Sequence, residues 1–289
     1  MKLALAGLGN MGSAIGERLL EAGYPLTVWN RSVAKTVALT ERGAARAERS
    51  EGLLGDGVDV LLTMLSDDDA LLAVANSALR GARPGTTLID LSTVSPEASM
   101  EVAVAAETAG VAYLRAPVSG NPSVVRSGSL TLIVSGSEEA YRCSEPVLKA
   151  IGPTLYHVGD GEQARVVKLA LQIMIGGTAQ LMAEALILGE AGDVEPRTLL
   201  EVMANSAAGL PFVRYKMEPL LADDYSATFT TEMMRKDLDL VGDFARAHNL
   251  PLPLLGTLSD AVDEATAAGH ADQDVMALYL NLRRRAQLE

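Results

Sequence analysis

A single cysteine, Cys143, is all the thiol chemistry this 289-residue chain carries. That excludes an intramolecular disulfide and any cysteine-rich metal site. The three histidines, His157, His248 and His270, lie far apart and fall into no ligand spacing, so no metal site is expected. Aromatic residues make up only 4% of the chain, which leaves the core to Ala, Leu, Val, Ile and Met. Positive charge is short as well: 24 Lys and Arg against 37 Asp and Glu give a formal net charge of −13. This argues against nucleic acid as the main partner, because backbone binding needs clustered cations. The one cationic run, 283–285, closes the last predicted helix, where the helix dipole favours it. No basic start followed by a long apolar segment marks a signal peptide, so a cytoplasmic location is expected. Nor is a membrane partner expected. The longest apolar stretch, 166–188, is interrupted by Lys168, Gln172, Gln180 and Glu184, which suits a buried helix.

What is present is alternation. Apolar runs at 3–6, 26–29, 58–64, 86–91, 112–115, 130–134 and 154–158 predict strands, with amphipathic segments between them. In the first of these, Met11, Ile15 and Leu19 share one helical face and Gly23 supplies the stop. Such repetition predicts a largely parallel sheet covered on both faces. After Gly159-Asp160-Gly161 the pattern becomes helical. One long helix is predicted over 162–191, closed by Gly192, then helices at 197–205, 230–248, 254–268 and 274–286. The fold expected is an α/β N-terminal domain over 1–160, followed by an all-α domain over 161–289, joined through the long helix.

The strongest motif is Gly7-Leu8-Gly9-Asn10-Met11-Gly12, a G-x-G-x-x-G that follows a predicted strand and opens a predicted helix. The first Gly makes the turn and the second admits a pyrophosphate. The third lets helix and sheet pack closely. This predicts a Rossmann-type dinucleotide site. At the end of the second strand an NAD site commonly carries an acidic residue, whereas this chain reads Asn30, Arg31 and Ser32, with Lys35 a turn later. Neutral and cationic groups there suit a 2′-phosphate, so the expected cofactor is NADP(H). Ser32 also fits an ordinary helix N-cap, and Lys35 a solvated helix residue. The Asp67-Asp68-Asp69 run is read as acids at a helix start rather than as a metal site.

For the reacting centre, Lys168 stands in an apolar helix, with Arg165 and Gln172 within about 60° of it around the axis. This polar strip suggests a helix facing a cleft. Ala116-Pro117-Val118-Ser119-Gly120-Asn121-Pro122 follows a strand and is held by two prolines. Its Ser119 hydroxyl and backbone N–H groups suit a carboxylate, although a plain structural turn also fits. Thr93 closes another strand.

On these residues the chain resembles the β-hydroxyacid dehydrogenase family, which includes 3-hydroxyisobutyrate dehydrogenases and NADPH-dependent glyoxylate and succinic semialdehyde reductases. The resemblance runs nearly end to end. It rests on the fingerprint at 7–12, Met64-Leu65, the stretches 90–93 and 116–120, the spacing from Gly161 to Lys168, and Lys236-Asp237-Leu238. It implies that Lys168 is the catalytic acid/base and that Ser119 and Gly120 hold a substrate carboxylate, with Asn121 and Gln172 nearby. It further implies that Met64, Leu65, Thr93 and Lys236 meet the cofactor. The implied substrate is a small carboxylated aldehyde or ketone, or the matching hydroxyacid.

Three positions depart from the family: Arg115 replaces an Asp, Asn121 a Gly and Gln172 an Asn. An imine reductase shares the architecture but typically carries another residue at the lysine position. A non-catalytic cofactor-binding scaffold would be expected to have lost the lysine. A 6-phosphogluconate dehydrogenase is disfavoured because the chain is short and no His-Asn pair follows Lys168. The long apolar helix predicts a homodimer or homotetramer.

Overall fold

The computed structural model describes residues 1–55 and 57–288. The chain divides into two compact units, Met1–Lys168 and Leu169–Glu289. The first alternates β1 (Leu3–Ala6), α1 (Asn10–Glu21), β2 (Leu26–Trp29), α2 (Val37–Glu41), β3 (Ala45–Arg46), β4 (Val60–Thr63), α3 (Asp68–Leu79), β5 (Thr87–Asp90), α4 (Pro96–Thr108) and β6 (Ala112–Arg115). The strands form one parallel sheet in the order β3-β2-β1-β4-β5-β6. Growth of the sheet reverses between β1 and β4, so the carboxyl ends of these strands open a crevice there. Side chains alternate between two cores. Leu3 and Leu5 join Val28, Leu62 and Ile89 on one face, while Ala4 and Ala6 join Leu61, Leu88 and Ala78 on the other. Each buried Leu or Ile contributes about 1.5–3 kcal/mol. The small alanines let α3 and α4, themselves alanine-rich, lie close to the sheet.

Beyond β6 come β7 (Val118–Ser119), α5 (Pro122–Arg126), β8 (Thr131–Val134), α6 (Glu138–Ile151) and β9 (Thr154–His157). The strands expected at 130–134 and 154–158 are present, but in a separate sheet of order β7-β8-β9. The reason is local. The chain from Arg115 to Ser119 pairs antiparallel with 131–135, so β8 runs against it instead of extending the parallel sheet.

Helix α7 (Gln163–Ala191) begins in the first unit and continues into the second. Among the described helices it is the one long and apolar enough to cross a membrane, and 44% of its most apolar window is buried. The left-handed residue that ends it is Asp193 (φ +56°) rather than Gly192. There follow α8 (Pro196–Asn205), α9 (Pro211–Leu221), α10 (Thr231–Ala247), α11 (Pro253–Ala265) and α12 (Ala277–Ala286). Their apolar faces bury Met182, Leu200, Phe212, Leu238, Val262 and Met276 together. Helix α9 was not expected, because Pro219 interrupts its pattern. Helix α12 starts three residues later than 274, because the Asp274 carboxylate is buried and receives Lys216 Nζ at 2.6 Å.

Candidate active site

The loop 7–12 lies at the crevice. A Cβ on Gly7 (φ +94°) would stand 2.2 Å from the Met64 carbonyl oxygen, and one on Gly12 would stand 1.9 Å from that of Gly7. Neither position accepts a side chain. Gly9 is the opposite case: a Cβ there meets nothing within 4 Å. Gly9 is also the N-cap of α1 and has no side-chain cap, so the first N–H groups of that helix look out over open space. Backbone donors, the positive end of a helix dipole and an uncluttered approach make a phosphate cradle. A cavity of about 370 Å³ adjoins it, lined by Gly9, Asn10, Ser13, Lys35, Pro122 and Arg126. The residues present therefore fit a dinucleotide.

Asn30 is held by bonds within the chain. Its Oδ1 accepts from Leu8 N at 2.9 Å and its Nδ2 donates to Ser32 O at 3.0 Å. The side chain ties the glycine loop to the end of β2. Arg31, Ser32 and Lys35 are exposed beside it. Ser32 occupies the N-cap of the short 3₁₀ turn Val33–Thr36, with no side-chain cap bond.

The neighbouring strand ends are joined by buried hydrogen bonds. Asp90 Oδ1 accepts from Thr63 Oγ1 and Ser92 Oγ, each at 2.6 Å, and Ser92 Oγ accepts from Leu65 N at 2.9 Å. Half-buried Met64, Leu65 and Thr93 flank this network. Below it, Asp67 caps α3 through Ala70 N at 2.8 Å, and Asp68 Oδ1 accepts from Ser95 N at 2.9 Å. The acidic run is thus spent at a helix start.

Arg165 differs from the cleft-facing strip expected of it. It does not face a cleft: it is 1% exposed, and its guanidinium donates to Asp90, to Ser92 O at 2.7 Å, to Tyr113 Oη at 3.0 Å and to Ser99 Oγ at 3.2 Å. Burial works against its charge, but the neighbouring Tyr113 and Asp90 outweigh it and hold the group more firmly protonated than usual. Burial also pushes the Tyr113 phenol up, against the opposing effect of Arg165. One signal was available: a lone Arg in an apolar helix needs a buried carboxylate, and Asp90 closes a strand of otherwise apolar residues.

Lys168, one turn further along α7, is 8% exposed, and its Nζ donates to Val118 O at 3.0 Å. Val118 precedes Ser119 in β7, so the ammonium is anchored at the root of the 119–121 loop. Ser119 is half-buried and Gly120 exposed, with φ +144°. Asn121 Oδ1 caps α5, accepting from Ser123 N and Val124 N at 3.0 Å. Arg115 Nε donates to Glu162 Oε1 at 2.8 Å, and its guanidinium lies 4.6 Å over the Tyr113 ring.

In the second unit Gln172 is buried and donates through Nε2 to Asp237 on α10. The half-exposed Lys236 pairs with the same carboxylate at 2.8 Å. Among the described residues no group of three or more His, Cys, Asp or Glu side chains is arranged to hold a metal.

Parallel order, crevice and glycine cradle together define a nicotinamide-dinucleotide-binding Rossmann protein. Residues 2–159 match the family model described as the NAD binding domain of 6-phosphogluconate dehydrogenase. Residues 162–282 match that described as NAD-binding of NADP-dependent 3-hydroxyisobutyrate dehydrogenase. The chain belongs to the β-hydroxyacid dehydrogenase family, whose members are nicotinamide-dependent oxidoreductases. It is 29% identical over 282 residues to the 2-(hydroxymethyl)glutarate dehydrogenase of Eubacterium barkeri, covering 96% of this chain and 93% of that protein. It is 30% identical over 294 residues to the NAD-dependent L-serine dehydrogenase of Pseudomonas aeruginosa, covering 94% and 95%. It is also 29% identical to the cytokine-like nuclear factor N-PAC of Homo sapiens over 96% of this chain, but spans only 51% of that protein.

Among solved structures, 3-hydroxyisobutyrate dehydrogenase from Salmonella typhimurium superposes with a TM-score of 0.89 at 26% identity, over 96% of this chain and 99% of that one. The Mycobacterium tuberculosis 3-hydroxyisobutyrate dehydrogenase with L-serine gives 0.87 at 28%, over 98% and 99%. An imine reductase from Pseudomonas sp. shares the fold at 0.66 and 22%, over 97% and 99%.

Proposed function

We propose that this chain is an NADP(H)-dependent reductase of small carboxylated aldehydes or ketones, and a dehydrogenase of the matching hydroxyacids, with Lys168 as general acid and base. The observation that carries the reading is the buried ammonium of Lys168, held 3.0 Å from Val118 O beside the 119–121 loop. A lysine in that setting has its donor aimed by the fold rather than by solvent. The bound cofactor supplies or accepts the hydride. In reduction the Lys168 ammonium gives its proton to the carbonyl oxygen, and in oxidation the neutral amine takes the hydroxyl proton back. Ser119 and the N–H groups of Gly120 and Asn121 hold the substrate carboxylate, and Gln172 helps orient it. The loop 7–12 takes the pyrophosphate, while Met64, Leu65, Thr93 and Lys236 contact the rest of the cofactor.

NADP(H) is preferred over NAD(H) because exposed Arg31 and Lys35, with Ser32, offer charge-assisted donors to a 2′-phosphate. The names of two relatives, acting on 2-(hydroxymethyl)glutarate and L-serine, support a small carboxylated alcohol as the product class. Met174, Leu181 and Leu188 are exposed at seven-residue intervals along α7, which supports a homodimer or homotetramer. A solution mass equal to one 30.3 kDa chain would refute that. A cytoplasmic setting accords with the single cysteine.

The test is NADPH consumption across small carboxylated aldehydes and cyclic imines, with Lys168→Ala in parallel. Aldehyde reduction that collapses in the variant while NADPH still binds is expected. Preferential imine turnover would favour the reading that the imine reductase fold suggests. Cofactor binding without turnover on any substrate would favour a non-catalytic role.

A further inference from the structure

We propose that Arg165 is a positioning residue for this reaction, locking the turn of α7 that bears Lys168 to the two strand ends that face the cofactor. The inference rests on the reading of Lys168 as the proton donor. Its basis is connectivity. Arg165 and Lys168 are three residues apart on one helix, so the backbone between them is rigid on the scale of about 4.5 Å. From Arg165 the bonds run outward in two directions. Nη1 fixes Ser92 O, the carbonyl immediately before Thr93, at 2.7 Å. Nη2 fixes Asp90, whose other oxygen holds Ser92 Oγ, and Ser92 Oγ in turn receives Leu65 N. One side chain therefore sets the distance between the Lys168 turn and both the Leu65 and Thr93 backbones.

Stability alone does not call for this arrangement. A buried ion pair is commonly matched or bettered by apolar side chains of similar volume. What an apolar replacement lacks is direction. The guanidinium is a planar fork whose Nε, Nη1 and Nη2 reach Ser99, Ser92, and Asp90 with Tyr113, and every one of these residues is buried. Proton donor and hydride donor must converge on adjacent atoms of one carbonyl, a geometry that tolerates errors of only about 0.5 Å. A lysine at 165 keeps the charge but not the fork.

The experiment compares Arg165→Lys, Arg165→Met and the charge-free pair Arg165→Met/Asp90→Asn with the parent, all as full-length protein. Three quantities are read: NADPH affinity by fluorescence, steady-state kcat and KM, and the isotope effect with NADPH deuterated at the transferred position. Arg165→Lys is expected to bind NADPH within about threefold of the parent, with KM little changed, while kcat falls about 100-fold and the isotope effect rises. The double variant is expected to regain the melting temperature lost in Arg165→Met without regaining kcat. If kcat recovers along with melting temperature, or Arg165→Lys keeps kcat near the parent value, Arg165 is merely structural and the proposal is overturned. Lys168→Ala separates the two readings. If it stays active, the proton-donor assignment falls and this inference with it. If it is inactive while Arg165→Lys is not, only the positioning role falls.

Discussion

Replacing Gly9 by alanine tests the phosphate cradle without disturbing the fold. The new Cβ meets no protein atom within 4 Å, and the backbone is already extended, at φ −73° and ψ −168°, which any L-residue adopts. Alanine is a poorer N-cap than glycine by less than about 1 kcal/mol, and the lost unfolded-state freedom returns about 0.4–1 kcal/mol. The two nearly cancel, so the melting temperature should stay within about 4 °C of the parent. A phosphate seated on the first N–H groups of α1 is nevertheless expected to meet the added methyl. Loss of one charge-assisted bond to phosphate costs about 1.5–3 kcal/mol, or about 10- to 150-fold in Kd. Gly12→Ala is the control, because its Cβ would lie 1.9 Å from Gly7 O. Loop and helix must separate there, at about 1–3 kcal/mol of overpacking, so stability and binding should fall together. Fluorescence titration with NADPH beside a thermal melt reads both. A Gly9→Ala protein that binds NADPH like the parent would refute the cradle.

Other consequences can be checked as directly. Arg31→Ala with Lys35→Ala should weaken NADPH about tenfold or more while sparing NADH; an equal loss for both cofactors would show that these cations do not read the 2′-phosphate. Lys216→Met strands the buried Asp274 carboxylate, which keeps donors from Thr228 Oγ1 at 3.0 Å and Met276 N at 3.1 Å. Urea melts should show a loss of about 3 kcal/mol, partly restored by Asp274→Asn; a loss below about 1 kcal/mol would mean that the pair is not isolated from water. Burial raises the phenols of Tyr113 and Tyr279, the latter helped by its bond to Glu190. The unfolded chain ionises at about pH 10 while these groups stay neutral. Their contribution to stability is therefore intact below that pH and lost as pH rises through the folded values. Phenolate absorbance should show them ionising only with unfolding, and full titration of the native protein at about pH 10 would contradict that.

The parts of this molecule that were legible in the sequence are those whose cause is local. The seven predicted strands are apolar runs bounded by turn residues, and all seven form. The two-residue strands β3 and β7 left no periodicity to read, and Pro219 masked α9. The cradle was legible because Gly7 and Gly12 answer a steric demand at their own backbone. The bonds of Asn30 and Arg165 were less legible, because their partners lie far off in the chain. The Asn30 bond to Leu8 spans 22 residues, and the Arg165 bond to Asp90 spans 75, so the sequence beside each residue does not name its partner.

Partners within the fold also limit what the three departures from the family pattern do. Arg115 replaces an acid, but its charge ends on Glu162 and its face on Tyr113. Asn121 replaces a glycine, yet its Oδ1 is consumed by capping α5, which fixes where that helix begins. Gln172 replaces an asparagine and gives Nε2 to Asp237, while its Oε1 is buried with no hydrogen-bond partner among the described residues. A buried acceptor left unmet costs about 1–3 kcal/mol, so a donor delivered by a bound molecule would recover that free energy. Gln172 therefore keeps a buried acceptor that a ligand can meet. Exchanging it for asparagine should change relative KM values among substrates that differ by a hydroxyl or amino group, and leave their common carboxylate requirement intact. Unchanged KM ratios in Gln172→Asn would assign the specificity of this chain to another position.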